Sequence, residues 1–238
     1  MKKSIWVMIP ACCLVFLGLV TAALLGNRAV TAFSENKPLN NRYCFIIDAG
    51  HGGVDGGAVS CTGAYESNIN LEIALRLNDL IHLLGYQTKM VRTTDISIYT
   101  SGNTIAGKKS SDLKERVRIV NETENGILLS IHQNHYTDSF YSGGQMFYPK
   151  TPESDTLAIN LQEAFVSTIN PGSNRKAKPA EGLYLMKHIK KTGVLIECGF
   201  LSNYEEEAKL RSADYQKHIC AVIASVCSQY LLDRTAQY

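Results

Sequence analysis

Three apolar runs, residues 43–47, 127–131 and 194–196, each break off into a polar or glycine-rich segment, and stretches with helical spacing fill the intervals between them. This alternation constrains the fold more than any other feature, because short buried strands separated by helices are joined by crossovers and lie parallel. Ile69, Ile73, Leu77, Leu80 and Leu84 mark a helix over residues 67–84 with Gly85 as its stop, and residues 86–91 read as the second strand. Leu113, Val117 and Val120 give a helix over 111–122, residues 145–148 a fourth strand, and residues 154–169 and 215–232 two more helices. The expectation is a single α/β domain over residues 42–238, a mostly parallel twisted sheet with helices on both faces. Residues 96–110 and 170–178 read as long surface loops, either of which can border a substrate groove.

The first residues belong to targeting rather than to this domain. After Lys2 and Lys3, residues 5–25 hold 21 positions without a charge, enough for one membrane span of about 20 residues. The basic pair stays in the cytoplasm by the positive-inside rule, which places the remainder outside the membrane. The reading is a signal-anchor or signal peptide over 1–26 and a polar tether with Pro38 over 27–41. An uncleaved anchor is preferred because the run exceeds the roughly 7–15 residues of a signal-peptide core; cleavage near Val30, Thr31 and Ala32 is the alternative. Residues 1–41 also carry Lys2, Lys3, Arg28 and Lys37 against Glu35 alone, so of the chain's 24 basic and 22 acidic residues the domain keeps 20 and 21. A nearly neutral domain without a basic stripe excludes nucleic acid as partner. Of seven cysteines, Cys12 and Cys13 lie in the apolar run, and the other five are scattered without a CxxC pair, which argues against a disulfide scaffold.

In α/β sheets, ligands bind beyond the carboxyl ends of the strands. Here those ends carry Asp48-Ala49-Gly50-His51-Gly52-Gly53, Ser130-Ile131-His132-Gln133-Asn134-His135, and Glu197, while Glu66 stands where the first helix begins. Two imidazoles and a carboxylate with an open fourth position make a common catalytic zinc shell, and a further carboxylate can manage protons. Each piece has an ordinary reading too. A lone strand-end histidine is usually a satisfied polar residue, and Glu66 alone suits a helix N-terminus. The glycine-rich segment has neither the Lys-Ser/Thr ending of a phosphate loop nor GxGxxG spacing. Glu197 ends an apolar stretch, where a carboxylate is costly unless paired, protonated or beside a metal.

Together, Ile46-Ile47-Asp48-Ala49-Gly50-His51-Gly52-Gly53, Glu66-Ser67-Asn68, Leu129-Ser130-Ile131-His132-Gln133-Asn134 and Leu195-Ile196-Glu197-Cys198-Gly199-Phe200-Leu201-Ser202-Asn203 resemble the motifs of the zinc-dependent N-acetylmuramoyl-L-alanine amidases, over residues 43–232. The resemblance implies Zn2+ held by His51, Glu66 and His132, with Glu197 as the catalytic acid/base. It implies hydrolysis of the amide between N-acetylmuramic acid and L-alanine in peptidoglycan, outside the membrane. Asp48 is a candidate to orient an imidazole, and Leu113, Arg116 and Asn121 read as structural. This chain has Lys191-Thr192-Gly193 where many members place a proline, and His135, read as a bystander, where a small residue is usual. His82, His188 and His218 have no motif around them. The 65 residues from His132 to Glu197 leave little room for a blocking helix, and Met186-Lys187-His188-Ile189 resembles the spore-cortex branch. An activating partner protein stays unspecified. Two rivals stay open: a zinc carboxypeptidase, which needs an arginine for the terminal carboxylate and usually shows His-x-x-Glu spacing, and a catalytically silent wall- or partner-binding protein.

Overall fold

The structure is a computed structural model that describes residues 40–235. The expected membrane segment 1–26 and nearly all of the tether lie outside the described residues. In chain order the elements are β1 (Asn40–Ala49), α1 (Glu66–Leu83), β2 (Tyr86–Met90), α2 (Ile105–Glu122), β3 (Gly126–Asn134), β4 (Gln145–Tyr148), α3 (Ser154–Ala164) running into a π-helical turn (Phe165–Ile169), β5 (Lys178–Pro179), α4 (Tyr184–His188), β6 (Thr192–Phe200), α5 (Tyr204–Leu210) and α6 (Ala213–Thr235). They form one six-stranded sheet ordered β2-β1-β3-β6-β4-β5. The first four strands are mutually parallel, β4 runs antiparallel to β6, and β5 pairs parallel with β4. The expected α/β domain with a mostly parallel sheet is therefore what the chain forms.

Because side chains alternate across a strand, neighbouring apolar residues bury against different helix layers. Phe45, Ile47, Leu129, Ile131, Val194 and Ile196 pack with Ile69, Ile73, Leu77 and Ile81 of α1, Leu157 and Leu161 of α3, and Ile219 and Ile223 of α6. Their partners one residue away, Ile46, Leu128 and Leu195, pack with Val120 of α2 and Leu185 and Met186 of α4. The α1 stripe follows Ile81 rather than the expected Leu84, which is 40% exposed beyond the helix end.

Among the boundaries that differ from expectation, three have a clear physical reason. Helix α2 starts at Ile105, inside the expected 96–110 loop, because the Thr104 side chain accepts the Gly107 N–H and caps it. Gly107, Lys108, Lys109 and Ser110 carry no apolar stripe that would reveal that turn. Strands β3 and β6 run on through His132 and Glu197 instead of ending before them: β3–β6 pairing continues through His132 opposite Glu197. Their backbones stay in the ladder while their side chains leave the apolar layer.

Candidate metal centre

The pleat that puts Ile46, Leu128 and Leu195 on the second face puts Asp48, Ser130, His132 and Glu197 further along that same face. Buried Asp48 pairs with Arg116 of α2 and accepts from Ser130 Oγ at 2.7 Å. Burial would raise its carboxyl, but the Arg116 charge and the Ser130 hydrogen bond hold it below its usual value. Asp48 makes no hydrogen bond to an imidazole, so the expected orienting role is replaced by a structural one: it anchors the arginine that grips the next loop.

That loop follows β1. Arg116 Nη2 donates to the His51 carbonyl at 2.6 Å, and Arg92, just after β2, donates to the carbonyls of Ala49 at 2.8 Å and Gly50 at 3.0 Å. The fixed backbone gives His51 a φ of +61°, a conformation that costs a non-glycine residue energy and persists where the surroundings enforce it. Gly50 is required for a different reason: a Cβ there would fall 2.2 Å from His132 Nε2. The His132 ring thus lies against bare backbone and meets the His51 ring edge-on, centroids 5.0 Å apart.

Glu66 reaches both rings from the first turn of α1. Its Oε1 is 3.0 Å from His132 Nδ1 and its Oε2 is 3.3 Å from His51 Nε2. The N–H groups of Gln133 and Ala58 and the Asn70 amide donate to the same carboxylate at 3.0–3.1 Å. Burial alone would push this carboxyl up; the two imidazoles override it and hold it well below the ordinary range. His51 Nδ1 lies 2.9 Å from Asp55 Oδ2, and Asp55 pairs on its other side with Lys109 of α2. Burial lowers the His51 pKa, but Asp55 and Glu66 together raise it to about 9.

One ligand atom from each of His51, Glu66 and His132 lies within 4.8 Å of the others. The donor set fits a metal ion. Asp55 occupies Nδ1 of His51 and so turns Nε2 inward, the carboxylate–histidine arrangement typical of metal sites, and two nitrogens with a carboxylate suit a three-ligand zinc site with an open position. Glu197 stands one strand over from His132. The residue as a whole is partly exposed, but its Oε2 is buried without a hydrogen-bond partner. Burial first, and the Glu66 charge second, push its carboxyl up to about 7 against the pull of both histidines. A groove of about 470 Å³ opens over these groups, bordered by Lys109, Leu113, His135, Leu183 and Tyr184.

The four residues singled out from the sequence therefore meet. His135 borders the groove but lies outside the His51–Glu66–His132 cluster, and His82, His188 and His218 are exposed. Leu113 lines the groove, and Asn121 braces α4 by bonding the backbone of His188 and Lys190. Asp55 and Arg92 escaped the sequence reading. An acid four residues after His51 among glycines, and an arginine directly after a strand, were the available signals.

The family described as N-acetylmuramoyl-L-alanine amidase matches residues 45–228. The germination-specific N-acetylmuramoyl-L-alanine amidase of Bacillus subtilis (strain 168) is 34% identical over 199 residues, 83% of this chain and 83% of that protein. The CwlD amidase of Clostridioides difficile, solved in complex with the GerS lipoprotein, is 37% identical with a TM-score of 0.76, covering 79% of this chain and 98% of that one. An N-acetylmuramoyl-L-alanine amidase from Clostridium difficile 630 is 29% identical with a TM-score of 0.70, over 81% and 98%. With the fold, the motifs and these relatives in agreement, the chain belongs to the N-acetylmuramoyl-L-alanine amidases.

Proposed function

We propose that this peptidoglycan amidase is a zinc enzyme that cleaves the bond between N-acetylmuramic acid and L-alanine in spore cortex, removing stem peptides outside the cytoplasmic membrane. The observation that carries the reading is the meeting of His51, Glu66 and His132 from three chain segments beside a buried, unpartnered Glu197 oxygen. In this reading His51, Glu66 and His132 hold the ion and Asp55 fixes the His51 tautomer. Bound there, zinc supplies Lewis acidity, bringing the pKa of its water toward about 7 and polarising the amide carbonyl. Glu197 takes the proton of the attacking water and returns it to the departing L-alanine nitrogen, which makes one carboxylate base and then acid. Leu183, Leu185 and Leu195 give the groove an apolar wall beside the polar cluster.

The cortex assignment rests on the germination-specific relative, and a lipoprotein partner on the complex in which the CwlD amidase was solved. The carboxypeptidase rival loses support, because the groove's arginine, Arg116, is committed to Asp48, Asp112 and two backbone carbonyls. The test is zinc analysis of the purified full chain followed by mass spectrometry of digested cortex peptidoglycan. Released peptides beginning with L-alanine and glycan with bare muramic acid are expected. Loss of C-terminal residues alone, or intact muropeptides, overturns the reading.

A further inference from the structure

A second and larger cleft, about 970 Å³, opens beyond the catalytic strand. Its floor includes Gln145 of β4, which pairs directly opposite Glu197, so it begins one strand spacing, about 4.8 Å, from the catalytic carboxylate's backbone. Arg175, Lys176, Lys178 and Lys209 face this cleft, drawn from the 170–178 segment, β5 and α5. Arg175 is fixed in place: its Nε donates to the Ser142 carbonyl at 2.9 Å and its guanidinium sits 4.9 Å from the Phe200 ring centre. The three lysines are exposed and enter no ion pair among the described residues. Two acids offset them in part. Glu206 is buried and accepts the N–H groups of Gly143 and Phe200, while Glu205 is exposed at the rim.

The rim also carries Phe140, 86% exposed, and Tyr141, which stacks on Phe200. Exposed rings beside cations mark an interaction surface rather than a solvated loop. On the floor, buried Gln145 donates through Nε2 to the Lys176 carbonyl at 2.7 Å, which ties the segment carrying the cations to β4. A stem peptide hangs from muramic acid by its N-terminus, so its free end is a carboxylate, and a glycan strand repeats that charge beside apolar sugar faces.

We propose that this basic, aromatic-rimmed cleft is a second substrate site, holding the carboxylate-bearing stem peptide of a neighbouring repeat on the same strand while the groove at Glu197 processes another. The proposal rests on the amidase reading and turns one cleavage site into a bivalent reader of polymer, in which the second contact acts through effective concentration. Rim lysines act on encounter and salt dependence more than on chemistry.

The test combines Lys176→Ser, Lys178→Ser and Lys209→Ser in the full chain, all exposed positions away from the metal cluster. Arg175, which braces the fold, stays. Binding is read by co-sedimentation with insoluble peptidoglycan in the presence of chelator, so it does not depend on cleavage. The triple variant should bind peptidoglycan on the order of ten-fold more weakly, with melting temperature unchanged. Acid extraction of wall phosphate polymers should leave this difference in place, and prior removal of stem peptides should erase it. In turnover, KM for the polymer should rise with kcat unchanged, while cleavage of a single disaccharide–peptide stays as in the parent chain. Equal binding by variant and parent, a difference that survives loss of the peptides, or a difference seen only on anionic lipid vesicles overturns the proposal. Failure of the parent chain to cleave either substrate counts against the amidase mechanism instead.

Discussion

On one face of the sheet, Phe45, Ile47 and Ala49 of β1 lead through Leu129 and Ile131 of β3 to Val194, Ile196 and Cys198 of β6, buried and apolar to the strand ends under α1, α3 and α6. On the other face, Ile46, Leu128 and Leu195 give way after a single step to Asp48, Ser130, His132 and Glu197. Among the described residues, the helices that cover the second face are α2 and the five-residue α4, helped by Val91, Ile98 and Ala180 from loops, and the cover stops where the polar residues begin. The same strands thus serve as core on one side and as site on the other. The pleat lets both be built at once, since each residue commits its neighbour to the opposite layer. What holds the polar half together is a set of committed ion pairs, Asp48–Arg116–Asp112 above all, buried and anchored to backbone carbonyls.

The two faces should differ most at the histidines. His132→Ala should abolish zinc binding by the full chain, while the exposed His135→Ala keeps most of it; equal loss for both would show that His135 is no bystander to the metal. On the core face, Leu129→Ala should cost about 2–5 kcal/mol in urea unfolding with KM untouched. Leu195 is buried in the thinner layer but also borders the groove. Leu195→Ala should therefore cost toward the lower end of that range and raise KM, and the reverse pattern for the two leucines would contradict the division of labour.

The polar face should also respond to pH. Burial holds the Glu197 carboxyl at about 7, above the ordinary 4.5, so in chelator the native state keeps a proton that the unfolded chain releases earlier. Its contribution is fully present below pH 4.5 and is lost as pH rises through 7, on the order of 1–3 kcal/mol. Comparing unfolding of parent and Glu197→Gln at pH 4.5 and 8 isolates this, because the glutamine has no such slope; parallel profiles would show that Glu197 is not desolvated. His51, raised to about 9, loses its own contribution later, between pH 6.5 and 9, in both proteins. The smallest effect expected is at Asp55. Asp55→Asn should weaken zinc binding about 10–100-fold while leaving the fold intact; unchanged affinity would mean that the 2.9 Å contact to His51 orients nothing.

The sequence disclosed the first face's strands and helices because apolar periodicity is what that face consists of: Ile69, Ile73 and Leu77 announce α1 without help. It disclosed His51, Glu66, His132 and Glu197 because polar residues at the ends of apolar runs stand out against their surroundings. Parallel strands buried on both faces read as unbroken apolar runs, so Ile46-Ile47 and Leu128-Leu129 could not say which residue faces which layer. Asp55 and Arg92 stayed hidden because their roles depend on contacts across 4 and 42–43 positions that only the folded loop creates. The two-residue β5 and the five-residue α4 are too short to show a period at all.

Glu197→Gln in the full chain tests most directly whether the polar face uses a bound metal rather than merely holding one. Zinc content, melting temperature and amide cleavage are measured on one preparation. Zinc at the parent level with cleavage reduced by a factor on the order of 10²–10⁴ is the predicted result. Cleavage near the parent rate, or loss of zinc together with activity, would contradict it.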